Sequence, residues 1–253
     1  FGWEPPIYIH VEHIMKNSKE KLSKRNGDAS FEDLIEKGFL TEAVLNYIAL
    51  LGWSPKGENE IFSLDELIKE FDISGLSKSP AIFDPVKLRA INAEYIRRLS
   101  PEKFLEYAEP YIRQSVKRED VNIRIIAETL QPRTEIFTEI PEQVDFIDAL
   151  PEYSTELYRN KKMKTDEATS LIALKEVLPV MQALDDWSID GIHAKLFELV
   201  EKLGVKNGYV LWPVRVALSG KERTPGGAIE IAAILGKEES LKRINKGIEL
   251  LSK

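Results

Sequence analysis

Apolar residues in this chain recur every three to four positions, in blocks closed by proline, glycine or a short hydroxyl or acidic residue. That is the spacing of helices with one buried face. Ser30, ahead of Phe31-Glu32-Asp33, can accept from the backbone N–H at position 33, so a helix is predicted from there to near Gly38. Thr41 opens a second, with Val44, Leu45, Ile48 and Leu51 on one helical stripe. Ser63 caps a third through Phe71. Asp84-Pro85 starts a longer one, with Leu88, Ile91, Tyr95 and Leu99 on one side. Pro85 there takes the first helical position, where a missing N–H costs nothing. Ser100-Pro101 ends that helix and begins the next. FLEYAEPYI, DVNIRIIAETLQPR and IPEQVDFIDAL then form a small helical unit from Glu102 to about Tyr158. Asn160 to Thr165, NKKMKT, is a polar, basic linker. DEATSLIALKEVLPVMQAL is a long helix, another follows Ser188, and Asn207-Gly208 turns the chain into YVLWPVRVALSG. A final helix runs from Gly236 to the C-terminus. No stretch keeps a strand's alternation for long. The predicted fold is mainly all-α and multi-lobed, with at most a short β element near the N-terminus, in residues 6–12. There is no internal repeat and no low-complexity tract.

Composition narrows the chemistry. The 253 residues include no cysteine, which excludes disulfides and thiolate metal sites. The three histidines are His10, His13 and His193, and no metal site is expected. His10 and His13 are close enough to share a helical face, to pair with carboxylates or simply to pack. No apolar run approaches the roughly 20 residues that span a bilayer, so no membrane partner is expected and the cytoplasm is the expected compartment. The net charge of −7 argues against binding nucleic acid by bulk attraction. Any RNA contact must use local basic patches, and two exist. Lys16, Lys19, Lys21, Lys24 and Arg25 face Glu20 alone in residues 16–25. Lys202, Lys206, Arg215, Lys221 and Arg223 face Glu222 in residues 202–223.

Four places carry candidate chemistry. Lys21-Leu22-Ser23-Lys24-Arg25-Asn26-Gly27-Asp28 sets two lysines about a small hydroxyl residue before a turn-forming glycine. It suits a loop that grips polyphosphate, or a solvated basic turn. In WPVRVALSG, Val210, Leu211, Val214, Ala217 and Leu218 make the apolar stripe and Arg215 sits at its edge. A packed arginine stem with an outward fork suits a base, although from the residues alone a helix-edge salt bridge is the favoured reading. Thr224-Pro225-Gly226-Gly227 turns into a helix start, where backbone N–H groups bind phosphate or a base edge, or merely accept a cap. Arg133, in QPRTEIF, offers a further cation or a surface ion pair.

The KLSKR run resembles the KMSKS signature loop of class I aminoacyl-tRNA synthetases, in the form typical of glutamyl-tRNA synthetases. Residues 215–236, RVALSGKERTPGGAIEIAAILG, are similar to the C-terminal anticodon-binding motif of the bacterial glutamyl enzymes. The two lie in the family's order and spacing, and the resemblance covers essentially the whole chain. It implies an ATP- and Mg2+-dependent ligase that joins glutamate to tRNA(Glu), acting as a monomer. Lys24 would be the catalytic lysine that stabilises the transition state at the α-phosphate, with Lys21 and Ser23 completing the ATP loop. Arg215, Thr224, Pro225 and Gly227 would read the anticodon, with Arg133 contributing from a neighbouring lobe. Gly227 departs from the family, whose members often place a leucine there. The implied organisation is residues 1–30 as the end of a catalytic domain, 31–100 as a stem-contact domain, and 101–160 and 161–253 as two anticodon-binding subdomains.

No HIGH-type motif is matched, because His10 in YIHV lacks the glycine-rich turn into a helix. The chain is therefore read as a C-terminal fragment of a longer synthetase, one that binds tRNA without catalysing. Trp3 and Ile7 would then be left exposed. Two alternatives stand beside this reading: a non-discriminating enzyme that also charges tRNA(Gln), and a helical protein-interaction module that has lost RNA binding. Glutaminyl enzymes fit less well, since their anticodon region is built from β-barrels.

Overall fold

The computed structural model describes residues 2–23 and 30–253. Among these, twelve α-helices account for most of the ordered backbone and no sheet forms, as the helical periodicity predicted. The only β pairing near the N-terminus is at Met15, which bridges antiparallel to Lys21 and parallel to Ile82. Residues 6–12, where a short strand was predicted, carry none, and no helix forms there for His10 and His13 to share. Trp3 and Ile7 are exposed, as expected.

The chain divides into two compact units, one of residues 1–100 with 134–138, the other of 101–133 with 139–253. In the first unit, α1 (Phe31–Glu36) begins at Ser30, whose hydroxyl accepts from the Asp33 N–H while the Asp33 carboxylate accepts from Ser30 N–H. Gly38 ends the turn with φ of 85°, and any Cβ there would lie 2.9 Å from the backbone nitrogen of Thr138. Both facts require glycine. The 134–138 segment is held in this unit by Arg89 on Glu135 at 2.8 Å and by Thr138 Oγ1 donating to the Lys37 carbonyl at 2.7 Å.

Helix α2 (Thr41–Gly52) buries Ala43, Val44, Asn46 and Tyr47; of the predicted stripe Val44 is buried and Leu51 half-buried, whereas Leu45 and Ile48 are exposed. Two polar side chains decide the orientation. Asn46 accepts from Phe62 N–H at 2.7 Å and donates to the Glu60 carbonyl, while Tyr47 Oη accepts from Asp84 N–H at 2.6 Å. Turning α2 to bury Leu45 would strand these groups. Helices α3 (Leu64–Glu70) and α4 (Pro85–Arg98) start at Ser63 and Asp84 as predicted, each with its side chain accepting from the first-turn N–H groups. Asn92 on α4 accepts from Leu40 N–H and donates to the Glu135 carbonyl, pinning two loops to one helix.

The second unit contains α5 (Pro101–Ser115), α6 (Ile123–Leu130), α7 (Ile140–Val144), α8 (Glu167–Gln182), α9 (Ile189–Leu203), α10 (Asn207–Ser219), α11 (Ala228–Leu235) and α12 (Lys237–Leu251). Helix α10 is the central element and packs against α8, α9, α11 and α12. It buries Val210, Pro213, Val214, Ala217 and Leu218, while Leu211 is half-buried. Asn207 and Gly208 form its first turn, not a turn ahead of it, because Lys206 takes the N-cap position with extended backbone. The 160–165 linker is a closed turn, with Asn160 and Thr165 exchanging both backbone hydrogen bonds. Arg243 on α12 is buried inside this unit. Its guanidinium donates to the carbonyls of Phe146 and Leu218 at 2.7 and 2.8 Å and of Ile147 at 3.0 Å, and pairs with Glu239.

Candidate nucleic-acid interface

Helix α10 carries Arg215 at the margin of its buried face, where the sequence placed it. The guanidinium lies over the Trp212 ring, 4.3 Å from the ring centre, and Nη2 donates to the Glu222 carbonyl at 2.6 Å. Trp212 stands one helical turn before Arg215, and its Nε1 donates to the Leu157 carbonyl at 3.0 Å. The indole is thus fixed, and it holds the arginine fork over its ring. Among the described residues no carboxylate takes that fork, so the predicted salt bridge gives way to a cation–π contact and a carbonyl. Burial first, then the neighbouring Arg133, push the Arg215 pKa down, with Glu222 opposing them. An arginine still stays protonated at neutral pH. The repulsion marks a place that favours an incoming anion.

The turn after α10 brings Thr224-Pro225-Gly226-Gly227 to the start of α11. Thr224 Oγ1 donates to the Gly226 carbonyl at 2.6 Å, and Pro225 and Gly226 are buried. A Cβ on Gly226 would come 2.7 Å from Thr129 Cγ2 and 3.1 Å from Glu230 Cβ, so the turn and α6 approach as only glycine allows. Gly227 N–H donates to Glu230 Oε2 at 2.9 Å, so a carboxylate already caps this helix. The cap reading therefore holds for the Gly227 N–H. Arg133, at the end of a 3₁₀ turn (Gln131–Arg133) that continues α6, lines the same groove, whose volume is about 270 Å³. Ile125, Glu128, Thr129, Gly226, Gly227 and Glu230 line it with Arg133. Residues some ninety positions apart thereby share one surface. The sequence did not single out Trp212, Glu230 or Thr129. Trp212 had a signal, its i, i−3 spacing from Arg215, whereas the meeting of α6 with α11 had none.

Lys21 and Ser23 lie in the first unit. Lys21 is exposed at its bridge to Met15, and Leu22 N–H donates to the Ile14 carbonyl at 2.9 Å. Met15 is tied in turn to Ala81 and Phe83 by backbone hydrogen bonds, so Lys21 and Leu22 pair with a segment that is itself held. Lys24 lies outside the described residues. Of the second basic patch, Lys221 is engaged by Asp145 and donates to the Glu142 carbonyl at 2.6 Å.

Comparison with known proteins places this geometry in a class. Residues 103–248, more than half the chain, match the family described as "Anticodon binding domain", and residues 1–90 match "tRNA synthetases class I (E and Q), catalytic domain". The chain is 55% identical over 253 residues to a glutamate–tRNA ligase of Clostridium acetobutylicum, aligning all of itself with 52% of that protein. It is 57% identical over 251 residues to one from Clostridium tetani, covering 99% of itself and 51% of the relative. A crystal structure of a glutamate tRNA ligase from Elizabethkingia meningosepticum, in complex with its amino acid, superposes with a TM-score of 0.81 at 29% identity. That match covers 99% of this chain and 53% of the other. The chain belongs to the anticodon-binding-domain family, and along its whole length it is similar to glutamate–tRNA ligases. It spans about half the length of the curated relatives it matches.

Proposed function

We propose that this chain is the tRNA-binding portion of a ligase that joins glutamate to the 3′ end of its tRNA with ATP. The observation that carries the reading is the convergence of Arg133 with Gly226 and Gly227 in one groove, and Arg215 close enough to repel Arg133. Single-stranded anticodon bases are read by splaying and stacking, which needs a few cationic and planar side chains on a rigid scaffold. Arg215, held over the Trp212 ring, offers a planar guanidinium and its donors. Thr224 and Pro225 shape the turn beside it, Gly227 leaves a base room, and Arg133 meets the strand across the groove. The residue ranges 1–30, 31–100, 101–160 and 161–253 serve in turn the catalytic end, the stem and the two parts of the anticodon site.

Lys21 and Ser23 lead into the loop that closes on the polyphosphate of ATP, and Lys24 neutralises charge as carboxylate attacks the α-phosphate and pyrophosphate leaves. Mg2+ in the whole enzyme would screen the same phosphates. Among the described residues no group of three or more histidine, aspartate or glutamate side chains is placed to hold a metal ion. The chain alone binds tRNA and does not aminoacylate it. The whole enzyme acts as a monomer in the cytoplasm. No helix among the described residues is long and apolar enough to cross a membrane.

Filter binding against transcribed glutamate and glutamine tRNAs, with Arg215→Ala alongside, tests the reading. Preference for the glutamate tRNA that Arg215→Ala removes supports anticodon reading by a discriminating enzyme. Equal, Arg215-dependent binding of both tRNAs identifies the non-discriminating enzyme. No binding by a folded chain sinks RNA recognition and returns the protein-interaction reading.

A further inference from the structure

We infer that the Asn160–Thr165 turn is a second, sequence-independent contact, gripping the phosphate backbone of the RNA whose bases Arg215 meets. The inference rests on the tRNA-binding reading above. Lys161, Lys162 and Lys164 are all exposed, and Met163 between them is not. Met163 lies against the first turn of α10, where any Cβ on Gly208 would collide with its sulfur and stand 3.1 Å from its Cγ. The methionine acts as a plug that turns the three ammonium groups outward.

The turn is built to hold that shape. Asn160 and Thr165 exchange backbone hydrogen bonds at 2.9 and 3.1 Å, Asn160 Oδ1 accepts from Met163 N–H at 3.1 Å, and Thr165 Oγ1 donates to the Tyr158 carbonyl. Lys164 sits at φ of 59°, and among the described residues no other non-glycine has positive φ. Glycine or asparagine takes that conformation more readily. A lysine kept there marks a position where charge outweighs backbone comfort.

The lysines are also unclaimed. Among the described residues, none of Lys161, Lys162, Lys164 and Lys206 makes an ion pair, although the chain has 42 acidic residues against 35 basic ones. Arg159, next to the turn, shows the contrast, paired with Glu167 at 2.7 Å. Like charges held together on an acidic body invite an anion with regularly spaced charges.

Position decides which anion. Gly208, Trp212 and Arg215 stand at i, i+4 and i+7, so they share one face of α10. Seven residues at about 1.5 Å each set the lysine turn roughly 10 Å along that face from Arg215. A strand that lays a base on Arg215 runs its phosphates past neighbouring surface, and on this face the lysine turn is the cationic part. Such contacts position the RNA and carry no sequence information.

The test is the salt dependence of tRNA binding by the full chain carrying Lys161→Gln, Lys162→Gln and Lys164→Gly together. The glycine relieves the strained backbone and so favours folding, which circular dichroism checks. Three lost phosphate contacts on a single strand lower the slope of log affinity against log salt by about 2. Between about 50 and about 200 mM salt the variant's affinity should therefore fall roughly tenfold to twentyfold less than that of the unmodified chain. The preference between glutamate and glutamine tRNAs should not change, whereas Arg215→Ala should change the preference with a slope loss of at most about 1. A folded variant with an unchanged slope overturns the inference and leaves the tRNA reading intact, and so does weaker binding at unchanged slope, which marks a structural effect. An unmodified chain that binds no tRNA overturns both.

Discussion

Adjacent glycines in the Thr224–Gly227 turn do different work. Gly226 is closed in by Thr129 and Glu230, so Gly226→Ala should lower the melting temperature by an amount equivalent to about 1–3 kcal/mol, because overpacking forces the turn off α6. Gly227 meets only the mobile end of the Glu230 side chain, at 3.0 Å. Gly227→Leu should therefore fold at a cost below about 1 kcal/mol, the order of one lost helix cap. On the tRNA-binding reading it should also tighten tRNA binding, because leucine adds apolar surface beside the groove. Calorimetry and filter binding on the two variants separate these expectations, and a destabilised Gly227→Leu would contradict them. Arg243 is the residue whose loss should cost most. Arg243→Met leaves three buried carbonyls and Glu239 without their donor, so a loss of about 3–5 kcal/mol in denaturant unfolding is expected. The sequence offered no hint of this, since Arg243 stands in a highly charged helix, with Lys237, Glu238, Glu239 and Lys242 before it, that looks solvated throughout.

At the level of elements, caps were the most readable feature. Ser30, Ser63, Asp84 and Ser188 each begin the helix predicted from them, because a cap is a bond between neighbours in sequence and needs no partner from elsewhere. Ser188→Ala should cost about 1 kcal/mol, measured by thermal unfolding, as the Gly191 N–H loses its acceptor. Helix faces were less readable. The α2 stripe was predicted through Leu45 and Ile48, yet Asn46 and Tyr47 face inward because each satisfies backbone groups of a distant loop. Periodicity counts apolar residues and misses a buried asparagine. The same holds for the turn at 160–165, which reads as a linker by composition and is closed by a pair of backbone hydrogen bonds.

Over the whole chain, ionisation should limit stability at both ends of the pH scale. The Ser63 backbone N–H holds the Glu66 carboxyl below its usual range, the Thr169 backbone N–H does so for Asp166, and Arg97 and Arg159 do so for Glu94 and Glu167. Depressed carboxyl pKa values contribute stability above the unfolded value, near about 4, which is lost as pH falls through the folded values. Burial pushes the Tyr95 hydroxyl up to about 12 and raises that of Tyr158 as well. Their contribution is complete below the unfolded tyrosine pKa near about 10 and is lost as pH rises through the folded value. Circular dichroism should show a plateau of melting temperature through neutral pH, falling below about pH 4 and above about pH 10. A melting temperature that rises on either flank would refute this.

The sequence by itself determined the helices, most of their starting points and the two motifs that carry the family resemblance, because each of these depends on residues within a few positions of one another. Only the tertiary structure decided that Arg133 shares a groove with Gly226 and Gly227, that the Arg215 guanidinium lies over the Trp212 ring, that residues 134–138 fold with the first hundred, and that Met163 plugs into α10 at Gly208. Each is a meeting of distant segments. Such meetings are selected by the fit of whole surfaces and the pairing of every buried polar group, which no local pattern encodes.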